Sequence, residues 1–202
     1  MRKFEGGKLL IATHNAGKLE EMRGLLAPSS IEVVSGGMLG LPEPEETEST
    51  FIGNARIKAH AAARATGLIA LGDDSGLEVD ALGGQPGVQT ADWAEAPTGR
   101  DVGMAMAKVH TALVAANAET PWRARFRCTL GLAWPDGHDE VFEGVAEGSL
   151  IWPVRGAVGH GFDPMFVPAD ETRTYAEMSY PEKNSVSHRA QAIRAMMAAC
   201  FT

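Results

Sequence analysis

Two adjacent carboxylates, Asp73 and Asp74, close the apolar run Leu68-Ile69-Ala70-Leu71-Gly72 and lead into Ser75-Gly76. Oxygen donors at a rigid strand edge suit a hard divalent cation such as Mg²⁺. A carboxylate beside a metal-polarised water can also take its proton. Because successive strand side chains point to opposite faces, only one of the pair is expected to face a ligand. The segment THNAGK, residues 13–18, lies where an apolar run becomes a helical pattern. Helix-start amides and a lysine at that position can hold phosphate. It is not a Walker A loop, because Leu19 follows Lys18 and the first glycine is missing. The same turn also reads as an ordinary helix start capped by Asn15, and Lys18 tilts the reading toward an anion.

Three further segments add candidate groups. FIGNARIKA sets Asn54 and Lys58 four residues apart, on one helix face; alone, such a lysine is an ordinary solvated charge. HGFDP, residues 160–164, belongs to a Gly/Pro loop in which aromatic faces could stack on a base and a carboxylate could read its edge. Phe162 or Phe166 taken singly reads as a hydrophobic plug. EKNSVSHRAQA gathers Lys183, His188 and Arg189 around a helix start, a concentration of donors suited to phosphate. The acidic loop LPEPEETEST, residues 41–50, offers another carboxylate, although most of its glutamates read as solvated. Carboxylates for Mg²⁺ beside phosphate-holding lysines make a site for phosphoryl transfer or nucleotide hydrolysis.

The elements that must position these groups follow from periodicity. KLLIAT (8–13), IEVVS (31–35) and LIALG (68–72) read as short strands. KLEEMRGLLA repeats Leu19, Met22, Leu25 and Leu26 at helical spacing and stops before Pro28. FIGNARIKAHAAARAT is a helix ended by Gly67, and Val102, Met106, Val109 and Leu113 mark another. RARFRCTLGLAW and EVFEGVAEGSL flank Pro135-Asp136-Gly137, the pattern of a β-hairpin. Residues 83–98 carry turn chemistry, and the tail SHRAQAIRAMMAACF is a helix with Ser187 as its expected cap. Such a mixture predicts an α/β protein with a mixed sheet.

At 202 residues with 45% hydrophobic and 22% charged positions, the chain has enough apolar content for a sizeable core and is expected to form one domain, residues 1–202, or two tightly fused lobes. Its net charge of −8 argues against nucleic-acid or anionic-membrane binding while leaving room for a small anion held by local cations. No apolar run is long enough to span a bilayer or serve as a secretory signal, so a cytoplasmic location is expected. Cys128 and Cys200 lack metal-ligand or redox spacing and read as small buried hydrophobes.

Taken together, THNAGK, TFIGNARIKA, DDSGLEVDALGG-x-PG, FRCTLGLAW, GHGFDPMF and EKNSVSHRAQA resemble, in order and over nearly the whole chain, the inosine/xanthosine triphosphate pyrophosphatase family. Each motif is weak to moderate alone; six in register are not coincidence. The resemblance implies an elongated α/β fold, a mixed β-sheet flanked by helices, with two lobes and a central substrate cleft, usually in a homodimer. It implies Mg²⁺-dependent cleavage of ITP, dITP or XTP to the monophosphate and pyrophosphate, cleaning the nucleotide pool. By motif, Thr13, His14, Asn15, Ala16, Gly17 and Lys18 would hold phosphates together with Lys58. Glu45 and Asp74 would bind Mg²⁺, Asp74 would also activate water, and Ser75 would touch substrate. His160, Gly161, Phe162 and Asp163 would line the base pocket, and Lys183, His188 and Arg189 would close the site. The resemblance leaves open whether Glu46 or Asp73 also binds metal.

The chain departs from the family pattern twice. His160 replaces the usual aromatic residue of the base-pocket motif, and Thr90-Ala91-Asp92 replaces a frequent S-A-R. Two alternative readings keep the nucleotide. One is a Maf-type pyrophosphatase for modified pyrimidine or methylated nucleotides; the other is a sensor that binds without hydrolysis. A water-activating carboxylate argues against the sensor, since binding alone does not need one.

Overall fold

The structure, a computed structural model, describes residues 1–5, 7–29 and 31–201. Its main element is a six-stranded sheet in the order β2-β1-β3-β6-β7-β8. Strand β1 (Lys8–Ala12) pairs in parallel with β2 (Glu32–Ser35) and with β3 (Ile69–Val79). The long strands β6 (Trp122–Ala133) and β7 (Asp139–Leu150) follow, and β8 (Phe166–Pro168) closes the edge antiparallel to β7. The sheet is therefore mixed, as the alternation of helices and hairpin predicts. A separate two-stranded ribbon joins β4 (Glu95–Ala96) to β5 (Gly99–Arg100).

The helices are α1 (Ala16–Leu26), α2 (Phe51–Thr66), α3 (Val102–Ala115), α4 (Tyr180–Val186) and α5 (His188–Cys200). Asn15 caps α1 by accepting from the Lys18 amide, and Thr50 caps α2 by accepting from the Gly53 amide. Gly67 ends α2 in the left-handed region at φ 71°, where a Cβ would be strained. Residues 180–186 form a helix that the sequence pattern does not announce. Ser187 lies extended between α4 and α5.

The chain divides into two compact units. The first comprises residues 1–74, 128–144 and 188–202, and the second residues 75–127 and 145–187. In the first, Leu9, Ile11, Leu71, Leu130 and Leu132 of the sheet pack with Met22 and Leu26 of α1 and with Ile193 and Met196 of α5. On another cluster, Ala59, Ala62 and Ala63 of α2 meet Leu10, Ala70 and Ala133. The second unit has its own core, in which Leu77, Val79, Val109, Leu113, Phe126, Phe166 and Tyr175 are buried. Among the described residues no helix is long and apolar enough to cross a membrane.

One expectation is corrected. The two aspartates do not end a strand at a glycine turn, because β3 runs unbroken from Ile69 to Val79 through Asp73-Asp74-Ser75-Gly76. Pairing with β1 stops at Gly72, and the later part of β3, with Ser75 and Gly76, continues as strand where β6 is its other neighbour in the sheet.

Candidate active site

Alternation along β3 separates the two aspartates as the pleat requires. Both are buried, yet their surroundings are opposite. Asp73 is ringed by donors. Lys18 Nζ of α1 is ion-paired to its Oδ1, while Arg189 Nε of α5 and the Cys128 thiol of β6 each donate to Oδ2 at 3.2 Å. The Arg189 guanidinium also pairs with Glu21 of α1, and both side chains are only 2% exposed. Burial works against the Asp73 charge, but Lys18 and Arg189 hold its carboxyl well below the usual carboxylate range. Arg189 is in turn locked in its charged form: burial opposes the charge, and Asp73 and Glu21 outweigh that.

Asp74 has far less support. Its Oδ1 accepts from Lys58 Nζ of α2 at 3.1 Å. Its Oδ2 is buried and, among the described residues, has no hydrogen-bond partner. Burial pushes the carboxyl up to about 6, against the pull of the Lys58 and Lys18 ammonium groups and with the push of the Glu46 charge. Lys58 Nζ also contacts Glu46 Oε1 at 2.7 Å and donates to the Asp73 carbonyl at 3.3 Å. Burial disfavours the Lys58 charge, but Asp74 and Glu46 raise its pKa nonetheless.

Small residues make this approach of α2 to the sheet possible. A Cβ on Gly72 would lie 2.7 Å from the Ala59 backbone nitrogen, and one on Gly131 would lie 3.1 Å from the Ala55 carbonyl. With the alanines of α2, these glycines let the helix backbone settle on β3 and β6, which places Lys58 beside the residue two after Gly72.

The remaining candidates divide between the units. Thr13, His14, Asn15, Ala16 and Gly17 form the turn from β1 into α1, with Thr13 Oγ1 accepting from the Asn15 amide at 3.2 Å. The first amides of α1, at Ala16 and Gly17, precede the one that Asn15 caps and can serve an anion. His14 Nε2 lies 2.7 Å from the Leu41 carbonyl. Glu45 is exposed and forms no ion pair among the described residues; Glu46, the next residue, is the one that reaches Lys58. Ser75 and Gly76 begin the second unit.

In that unit Asp163 Oδ2 accepts from the His160 amide at 2.8 Å and from Lys183 Nζ at 2.6 Å. Lys183 also lies 5.6 Å from the centre of the Tyr175 ring. The Phe162 ring is buried in the second core, so it is the plug that a lone phenylalanine suggests, and His160 is the half-buried ring of the segment. Gly161, at φ 63°, bends the chain between them.

Lys183, His188 and Arg189 are all buried, and the two strong cations already hold carboxylates: Asp163 for Lys183, Glu21 and Asp73 for Arg189. Of the donors gathered around that helix start, Lys183 is thus paired with Asp163, and Arg189 with Glu21 and Asp73. The sequence pattern missed Glu21, because a glutamate inside a helix carries no sign of burial. It also missed that Cys128, expected as a simple buried hydrophobe, donates its thiol hydrogen to Asp73.

The arrangement supplies two buried carboxylates, two lysines, a helix start and one unsatisfied carboxylate oxygen, which is the equipment of an enzyme acting on a polyanion. Relatives agree with that chemistry. Residues 9–199 match the model of the Ham1 family. A dITP/XTP pyrophosphatase of Ruegeria pomeroyi is 64% identical over 200 residues, covering 99% of this chain and 98% of its own. One from Rhodospirillum centenum is 52% identical over 200 residues, with 99% and 98% covered. The solved structure of a HAM1 protein from Coxiella burnetii matches with a TM-score of 0.85 at 37% identity, covering 95% of this chain and 96% of its own. Full-length sequence agreement and a shared fold make one conclusion: the chain belongs to the Ham1 family.

Proposed function

We propose that this protein is a Mg²⁺-dependent nucleoside triphosphate pyrophosphatase that hydrolyses dITP, ITP and XTP to the monophosphate and pyrophosphate. The observation that carries the reading is the Asp74 carboxyl, buried and unpaired at Oδ2, beside Lys58, with Lys18 on the neighbouring aspartate. A nucleotide sensor has no use for a buried carboxylate that burial pushes toward protonation. A hydrolase has one, because such a group accepts a proton near neutral pH. Water attacks the α-phosphorus, its proton passes to the Asp74 carboxylate, and the bond to the bridging oxygen breaks so that pyrophosphate leaves with the electron pair. Lys18, Lys58 and the first amides of α1 offset the charge that gathers on the phosphate oxygens.

The donor set fits a small hard cation. Asp74 has an oxygen to give, and Glu46 shares the Lys58 ammonium with it, so Asp74 and Glu46 are the residues that would hold Mg²⁺. Glu45, exposed and one residue earlier, is the other candidate ligand in that loop. Bound Mg²⁺ supplies Lewis-acid charge to the polyphosphate. In this reading Lys18, Lys58, Asp74 and Glu46 serve phosphate and metal, Ser75 touches substrate, and His160, Asp163 and Lys183 read the base. A 6-oxo purine presents an acceptor where adenine presents a donor, so donors in that segment favour inosine and xanthosine over adenosine. Cys128 and Cys200 are buried thiols, in keeping with a proposed reducing cytoplasm, and the proposed assembly is a homodimer.

A substrate panel of dITP, XTP, GTP, ATP and modified pyrimidine triphosphates, with products separated by ion exchange, tests the reading. Fastest conversion of dITP and XTP to monophosphate and pyrophosphate is expected. Release of orthophosphate, or faster turnover of a modified pyrimidine nucleotide, rejects it.

A further inference from the structure

The acidic segment 41–48 has neither helix nor strand; its first amide, at Leu41, donates to the Gly36 carbonyl at 3.1 Å, and side chains hold it at three further points. His14 Nε2 lies 2.7 Å from the Leu41 carbonyl, so this ring nitrogen carries the hydrogen and donates it. Glu46 Oε1 meets Lys58 Nζ at 2.7 Å. Beyond it, the Glu48 amide donates to Asn54 Oδ1 at 3.0 Å. Asn54 is 2% exposed, so its amide is a rigid anchor one helical turn before Lys58. Between the outer two pins, Pro42 and Pro44 lack amide hydrogens and cannot join a ladder. The loop therefore depends on side chains of the THNAGK turn and of α2 for its course. His14, expected from its motif to hold phosphate, has its donor turned to this loop.

We propose that His14 and Asn54 are positioning residues that aim the Glu46 carboxylate at the metal site, which rests on the Mg²⁺ reading above. His14 fixes the loop five residues before Glu46 and Asn54 fixes it two residues after. Releasing either end lets the carboxylate sample positions away from Lys58 and Asp74. Groups that orient a metal ligand without touching the metal are typically worth about ten- to a hundredfold in metal affinity.

Calorimetric titration of the full chain with Mn²⁺, without nucleotide, tests this. Glu46→Gln is expected to weaken Mn²⁺ binding most. His14→Ala and Asn54→Ala should each weaken it about tenfold, the lower end of the range for such partners. His14→Gln, which keeps an N–H donor, should recover most of the loss. Parental Mn²⁺ affinity in both alanine variants, with Glu46→Gln weakened, overturns the positioning role and leaves the metal reading standing. Parental affinity in Glu46→Gln overturns the metal reading and the positioning role with it.

Discussion

Asp74→Asn should make the metal-free protein more stable while removing its activity, and the gain should grow with pH. Burial raises the Asp74 carboxyl from 3.8 to about 6, so between those values the folded state binds a proton that the unfolded chain has lost. Stability contributed by this group is therefore undiminished below about 3.8 and falls as pH rises to about 6. At 1.36 kcal/mol per pH unit, holding the charged carboxylate in the fold costs about 3 kcal/mol at pH 8 and about 1 kcal/mol at pH 4.5. Asparagine carries no such penalty and still accepts from Lys58. Urea unfolding with EDTA present, at both pH values, gives the comparison directly. The variant's advantage over the parent should widen by about 2 kcal/mol from pH 4.5 to pH 8. Added Mg²⁺ should raise the stability of the parent and close the gap, because a ligand that binds only the folded state stabilises it. An advantage that stays constant with pH, or a variant less stable than the parent at pH 8, refutes the electrostatic account of this residue.

Other expectations follow from the same network. Arg189→Leu takes a buried cationic partner from both Glu21 and Asp73 and should lower stability by about 3–5 kcal/mol, measured by urea unfolding at pH 7. Asp73 works in the opposite sense to Asp74: its folded pKa is depressed, so its contribution is present above pH 3.8 and is lost as acid titrates the folded carboxyl. Asp73→Asn should accordingly flatten the acid limb of a stability–pH curve below about pH 4. Gly72→Ala forces α2 away from β3 and should cost about 1–3 kcal/mol with a larger loss of activity, since Lys58 moves with the helix. Lys18→Ala should raise KM for dITP more than it lowers kcat, read from steady-state kinetics.

The strands and helices around the site were legible because each has a clean local signal. Leu19, Met22 and Leu26 mark the buried face of α1, Gly67 stops α2, and Pro135-Asp136-Gly137 turns β6 into β7. Family motifs selected Lys18, Lys58 and Asp74, and the structure gathers all three in one unit. What stayed hidden depends on long-range partners. Ser75-Gly76 looks like a turn in isolation, but it lies within the unbroken strand β3, whose neighbour on one side is the long strand β6. Glu21 reads as a surface charge until Arg189, far along the chain, is folded against it. Glu45 and Glu46 are indistinguishable by type in a loop without periodicity, and only the reach of Lys58 separates them. Lys183 and Arg189 look like companions six residues apart, although each neutralises a different carboxylate.

The most direct test of the proposed chemistry is pyrophosphate release from dITP and from ATP, with Mg²⁺, by the parent protein and by Asp74→Asn. Rapid release from dITP, little from ATP, and a loss of about 10³-fold or more in the variant are expected, in keeping with removal of a positioned base that also holds the metal. Equal turnover of the two nucleotides, or near-parental activity in Asp74→Asn, would contradict that chemistry.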